Sequence, residues 1–113
     1  MKATHSRKAA MAKPMKLRAR NDGNVTDVRV LMRHDMETGQ RKNSQGELIP
    51  AHYIQNVTVR HGSRVVLFAQ WGPAVSKNPY LAFKFVGGAS GDTIEVTWVD
   101  NKGDSRTDET IVE

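Results

Sequence analysis

The feature that most constrains this 113-residue chain is an alternation of apolar and polar residues that recurs in short runs, each closed by turn-forming residues. Successive side chains of a strand point to opposite faces, so a period of two describes a strand with one wet face, whereas an amphipathic helix needs a period near 3.6. Met15, Leu17 and Ala19 alternate with Lys16, Arg18 and Arg20. Asn21-Asp22-Gly23-Asn24 then supplies a turn. Val28, Val30 and Met32 interleave with Asp27, Arg29 and Leu31 in a second strand that ends near His34. Further strands are predicted over 52–60, 64–71, 80–86, 93–99 and 106–112. No stretch of helical length carries a 3.6-residue pattern. Seven short strands with turn chemistry between them predict an all-β fold, an immunoglobulin-like or fibronectin-like antiparallel β-sandwich. The Cys-Trp-Cys spacing of antibody domains is absent, and Trp71 and Trp98 are expected as core anchors.

Length allows one domain with one core. Residues 15–113 form it, behind a flexible basic arm at residues 1–14; Met11-Ala12-Lys13-Pro14 would itself serve as a beginning. Residues 35–50 carry two glycines, a proline and no sustained period, and are expected to be a long connection with a hairpin at Asn43-Ser44-Gln45-Gly46. Val65 to Ala69 is apolar at every position. A strand of a two-layer antiparallel sandwich should be polar on its outer side, so either the 35–50 loop or a partner must cover this one.

Composition removes whole classes of chemistry. The chain has no cysteine, hence no disulfide, thiolate metal site or cysteine nucleophile. The run from Val65 to Ala69 is too short to span a bilayer, so no membrane association is expected. The first twenty residues lack the apolar core of roughly 7 to 15 residues that a secretory signal requires, so the chain is not expected to carry its own export signal. Net charge is +5, but residues 1–20 hold seven of the 17 Lys and Arg and no acid, leaving ten bases and twelve acids in the remainder. A basic start on a slightly acidic body is a weak sign of nucleic-acid binding, and none is expected. The rival reading that this charge supports is a stand-alone sandwich binding polyanions through its basic N-terminal arm.

Candidate chemical sites are sparse. His5, His34, His52 and His61 show no metal-ligand spacing, and a metal site would require loop ends to converge; none is expected. His34 opens the Met36-Glu37-Thr38-Gly39 segment, where pinning that loop is the expected role. The glycines of 87–91 precede a strand, not a helix, and lack the lysine of a phosphate loop, so they are a strand connection. Asn101-Lys102-Gly103 is a hairpin turn that has too few carboxylates for calcium. Asn24-Val25-Thr26 and Asn56-Val57-Thr58 match the glycosylation triplet, which carries little weight without a secretory route. No strand-to-helix nucleophile elbow occurs. The chain is expected to be non-catalytic and free of cofactors.

Two segments go further. His34-Asp35-Met36-Glu37-Thr38-Gly39-Gln40-Arg41-Lys42, running on through Gly46 to Ile49-Pro50, and Trp71-Gly72-Pro73-Ala74-Val75-Ser76-Lys77-Asn78-Pro79-Tyr80 resemble the SoxZ family of bacterial sulfur oxidation. Thr97-Trp98-Val99-Asp100 is similar to the family's closing motif. The chain departs from the family at Asp35, where a proline is frequent. The resemblance implies a subunit of the SoxYZ sulfur-substrate carrier of thiosulfate oxidation. In it SoxZ forms a periplasmic heterodimer with SoxY, whose cysteine carries the sulfur intermediate and whose twin-arginine signal exports the pair. SoxXA, SoxB and SoxCD would make transient contacts. Aromatic, methionine and arginine side chains dominate the dry centres of interfaces, so Met36, Arg41, Val66, Phe68, Tyr80 and Phe83 are the expected contact residues.

Overall fold

The computed structural model describes residues 12–113, so most of the arm assigned to residues 1–14 lies outside the described part. Seven strands follow in chain order: β1 Lys16–Asp22, β2 Val25–Leu31, β3 Ile54–His61, β4 Arg64–Gln70, β5 Tyr80–Val86, β6 Thr93–Asp100 and β7 Ser105–Ile111. They form two antiparallel sheets, β1-β2-β5 and β4-β3-β6-β7, and the described residues contain no helix. The predicted all-β sandwich is what the chain forms. Strand four lies in the sheet of strands three, six and seven, not beside one, two and five as in the constant-type immunoglobulin arrangement.

Alternation decides which side chains meet. Val28 and Val30 of β2, Val57 and Val59 of β3, and Ile94, Val96 and Trp98 of β6 point into the space between the sheets and are buried. Full burial of each such side chain contributes about 1.5–3 kcal/mol, which fixes the register, since a slip of one residue would turn every one of them to water. Trp98 is the aromatic anchor of this core, whereas Trp71 is only half-buried against its margin because it lies beyond the end of β4.

Turn chemistry is visible at the ends. Thr26, fully buried on β2, donates to the Gly87 carbonyl at 2.7 Å, and a Cβ on Gly88 would stand 2.4 Å from the Thr26 hydroxyl. With φ at +82°, that position takes glycine for both reasons, and the glycines of 87–91 are the strand connection expected.

The two rims of the sandwich differ. Along β1 the C-terminus closes the gap: the Asn21 N–H donates to the Glu113 carbonyl and the Glu113 N–H to the Ala19 carbonyl, each at 2.9 Å. On the other rim β4 and β5 are both edge strands, each paired on one side only. A bulge opposite Val59 and Arg60 shifts the register of β4, so that Leu67 pairs with Val59 and Val65 with Arg60 while Val66 is left over. That irregularity explains the unbroken apolar run. Val66 and Leu67 both lean on the core, while Val65 and Phe68 stay 46% and 58% exposed. The 35–50 loop therefore does not cover Phe68.

Candidate functional site

The 35–50 loop is tied down at its base. Glu37 and His52 exchange two backbone hydrogen bonds, of 2.6 and 2.9 Å. Gly39, at φ +88°, sits where a Cβ would press to 3.1 Å from the Ala51 side chain. The tip is the predicted hairpin: Lys42 bridges Leu48, and the Asn43 side-chain carbonyl accepts from the N–H groups of Gln45 and Glu47. Arg41 braces the same loop from its solvent side, with its guanidinium forked onto Glu37 at 3.0 and 2.6 Å. That contact draws the Glu37 carboxyl below its ordinary value.

The second motif segment locks onto the first. The His34 N–H donates to Asn78 Oδ1 at 3.1 Å and the Asn78 N–H returns a bond to the His34 carbonyl at 2.9 Å. Asn78 holds a positive φ of 53°, a conformation asparagine tolerates better than most residues, and buried Pro79 then accepts from the Met32 N–H at 2.9 Å.

The third motif supplies the centre. Asp100, 2% exposed at the end of β6, receives His34 Nε2 at 3.0 Å and His52 Nε2 at 2.7 Å on Oδ2, and the backbone N–H groups of Lys102 and Asp104 at 2.9 Å on Oδ1. Burial, the largest influence on this carboxyl, pushes it towards the neutral form, but the hydrogen bonds from His34, His52 and the two backbone N–H groups outweigh it and hold Asp100 below the ordinary carboxylate value. The rings of His34 and His52 meet edge-on with centroids 4.5 Å apart, and Trp98 stands perpendicular to His34 at 5.2 Å. The cluster forms one wall of a cleft of about 380 Å³ whose mouth carries Arg33, Asp35 and Lys77.

Loop ends thus do converge, which the sequence did not lead one to expect for His34 and His52; His61 pairs elsewhere, with Asp92 at 2.7 Å. The ligand-type atoms of His34, His52 and Asp100 lie within 4.8 Å of one another. The protons decide what that means. His34 Nδ1 accepts from the Met36 N–H at 3.0 Å, so its lone pair is taken and the ring hydrogen sits on Nε2. A nitrogen that carries a hydrogen cannot ligate a metal, and coordination through Nε2 would turn Nδ1–H against Met36 N–H. The geometry is that of a carboxylate held by four N–H donors.

The expected contact residues divide. Phe68 and Tyr80 are exposed, at 58% and 59%, on β4 and at the start of β5. Arg41 is exposed but engaged by Glu37. Met36 is 5% exposed, with its sulfur accepting from the Ile54 N–H at 3.4 Å, so it belongs to the core and shows little more than an edge to the surface. Val66 and Phe83 are half-buried against that core, Val66 because of the bulge and Phe83 because it opposes Val28 on the inner face. Among the other motif residues, Thr38 caps the turn by accepting from the Gln40 N–H at 3.1 Å, and Pro73 lines a shallow groove beside Met36 and Arg41. In the sequence Asp100 figured only as the last residue of the closing motif, just before the Asn101-Lys102-Gly103 turn, with no role of its own; its place in that motif was the one signal that could have drawn it out.

Solved structures of the same architecture are distant in sequence. A hypothetical protein from Pyrococcus horikoshii OT3 aligns with a TM-score of 0.58 at 12% identity, covering 90% of this chain and 88% of that one. A superoxide reductase in the oxidized state gives 0.56 at 12%, covering 90% and 89%. The superoxide reductase (neelaredoxin) from Ignicoccus hospitalis gives 0.54 at 15%, covering 90% and 82%. At such identities the likeness is one of fold alone. A search of curated protein sequences returned no match. The family model of sulphur oxidation protein SoxZ, in contrast, matches residues 15–111, a span that takes in all three segments meeting at His34, Asn78 and Asp100, and the chain belongs to the SoxZ family of sulfur-oxidation proteins.

Proposed function

We propose that this chain is the non-catalytic subunit of a SoxYZ carrier in thiosulfate oxidation, paired in the periplasm with a SoxY-type subunit whose cysteine holds the sulfur intermediate. Family membership supports the pathway. The absence of cysteine from this chain requires that a covalent sulfur adduct sit on another protein. SoxXA, SoxB and SoxCD would then act on the partner's cysteine and meet this subunit only in passing.

The observation that carries the pairing is the asymmetry of the rims. Among the described residues of the β1 and β7 rim, Glu113 bridges β1 at Ala19 and Asn21 and Ile111 is the one exposed large apolar side chain, whereas the β4 and β5 edges have no such backbone bridge and expose Val65, Phe68, Tyr80 and Val86. Monomeric domains blunt such edges with charge or cover them, because an open edge with apolar side chains invites another chain. The Asp100 cluster fits a scaffold role: it fixes the motif loop beside the β5 end of that rim through buried hydrogen bonds. Co-expression with a cysteine-bearing SoxY-type protein, with a tag on this chain alone, followed by native mass spectrometry, tests the reading. A one-to-one complex that persists at high salt supports it. Recovery of this chain alone overturns it.

A further inference from the structure

Seven cations crowd residues 1–20, and three of them, Lys16, Arg18 and Arg20, lie not in the arm but on β1. Register shows where they point. Ala19 pairs with Val28 and faces the core, so Lys16, Arg18, Arg20 and Asp22 face outwards, together with Val25, Asp27, Arg29 and Leu31 of β2 and Tyr80, Ala82, Lys84 and Val86 of β5. The outer surface of this sheet holds five cations and two carboxylates.

Their placement works against the chain's own stability. Arg18 lies directly opposite Arg29 in the β1–β2 ladder, and like charges placed opposite one another across a sheet are destabilising. Asp27 stands opposite both Arg20 and Lys84 and gives its one ion pair to Arg29, at 3.1 Å. Among the described residues Lys16, Arg18, Arg20 and Lys84 take part in no ion pair. The outer face of the four-stranded sheet carries a like-charge pair of the opposite sign, Glu95 opposite Glu109, but there Arg60 offsets it from the next strand with an ion pair to Glu95 at 3.9 Å. Arg18, Arg20, Asp27 and Arg29 also enclose a recess of about 170 Å³.

We infer that the outer face of the β1-β2-β5 sheet is a docking surface for an acidic patch on another protein. The charge asks for an anionic partner, and the rest of the face chooses a protein. It is a twisted sheet surface, about 23 Å along the strands and 10 Å across them, and each of its two recesses, at Arg18 and Arg29 and at Arg20 and Lys84, is lined by the Asp27 carboxylate, which a phosphate backbone would meet as a like charge. Two carboxylates interrupt it, and Leu31, Tyr80, Ala82 and Val86 flank the cations with the apolar and aromatic contacts that protein interfaces favour. A patch of this size suits a brief, electrostatically steered encounter more than a permanent pairing. It is separate from the Asp100 cluster, and four of its five cations, Lys16, Arg18, Arg20 and Arg29, lie on β1 and β2, away from the β5 edge where Tyr80 and Val86 also belong to the rim.

Fluorescence anisotropy of the full chain with a labelled oligoglutamate peptide, and in parallel with a single-stranded oligodeoxynucleotide of equal charge, tests it. The expected result is peptide binding that weakens at least tenfold between about 50 and about 300 mM salt. It should fall at least tenfold in Arg18→Gln/Arg20→Gln/Arg29→Gln, a variant that removes the repulsion and so keeps the fold, as circular dichroism checks. Neutralising the arm instead, with Lys2→Gln/Arg7→Gln/Lys8→Gln, should change it less than threefold. Binding lost with the arm and kept without the face cations overturns the inference. So does an oligonucleotide held more than tenfold tighter than the peptide, which would make the face a nucleic-acid site. Absence of peptide binding overturns it as well.

Discussion

His34 and Asn78 hold each other by two backbone-anchored hydrogen bonds, His34 N–H to Asn78 Oδ1 at 3.1 Å and Asn78 N–H to the His34 carbonyl at 2.9 Å. The pair joins the two longer motif segments across 44 residues of chain. It depends on asparagine twice, for the acceptor and for the left-handed backbone at φ 53°. Asn78→Gly loses the acceptor but also sheds the Cβ from a left-handed backbone and should cost ~1 kcal/mol, whereas Asn78→Ala loses the acceptor and keeps a Cβ there without the polar side chain that makes asparagine tolerant of it, and should cost ~2–3 kcal/mol. Urea unfolding of both variants measures the difference; equal losses would mean that the backbone conformation contributes nothing.

Acid should attack the Asp100 cluster. The folded carboxyl is depressed, so it contributes stability above the unfolded-chain value of about 3.9, and that contribution is lost as pH falls through the lower folded value. Asp100→Asn keeps an acceptor for the turn but sets an amide hydrogen against the two imidazole N–H groups; it should cost ~2–4 kcal/mol at neutral pH. The thermal midpoint of the native protein should fall more steeply than the variant's below about pH 4. Parallel curves would show that Asp92, Asp108 and Glu37, also depressed by their ion pairs, account for the acid response.

The fold was legible because period-two patterning and turn residues are local, and β5 and β6 begin where that pattern begins. The bulge in β4 was not, since an extra residue and an apolar outer face leave the same run of Val65 to Phe68 in the sequence. Met36 illustrates a second limit: a methionine in a polar loop looks exposed, but its positive φ of 54° turns the side chain under the loop to the Ile54 N–H. His52 and Asp100 lie 48 residues apart, and their contact is set by how the 35–50 loop crosses the end of β6, which no local pattern encodes. Alternation already put Lys16, Arg18 and Arg20 on the wet face of a strand, but joining them to Arg29 and Lys84 in one cationic face needed the β1–β2–β5 register.

Zinc discriminates between ligation and hydrogen bonding at that cluster. With the His34 hydrogen held on Nε2 by the Met36 N–H, stoichiometric zinc should leave the thermal midpoint unchanged within about 1 °C, since a ligand that binds the native state at a hundred times its dissociation constant contributes about 2.7 kcal/mol and would move it by several degrees. A zinc-dependent rise abolished by His52→Ala would require His34 to change tautomer and would make the three residues a metal site.

Phe68 separates the role of the β4 rim from the stability of the domain. Its ring opposes Thr58 on the outer face and is 58% exposed, so Phe68→Ala should alter unfolding free energy by no more than ~0.5–1 kcal/mol. An aromatic anchor at the centre of an interface costs ~2 kcal/mol or more when truncated, a thirtyfold loss of affinity. Leu67→Ala in the same strand faces the core opposite Val59 and should do the reverse, destabilising the domain by ~2 kcal/mol or more while weakening pairing only through unfolding. Titration calorimetry of both variants against the SoxY-type partner, beside their denaturation curves, reads the two effects apart. A Phe68→Ala protein that binds like the native chain would move the partner's seat away from β4 and leave the β5 end at Tyr80 as the part of the rim to examine.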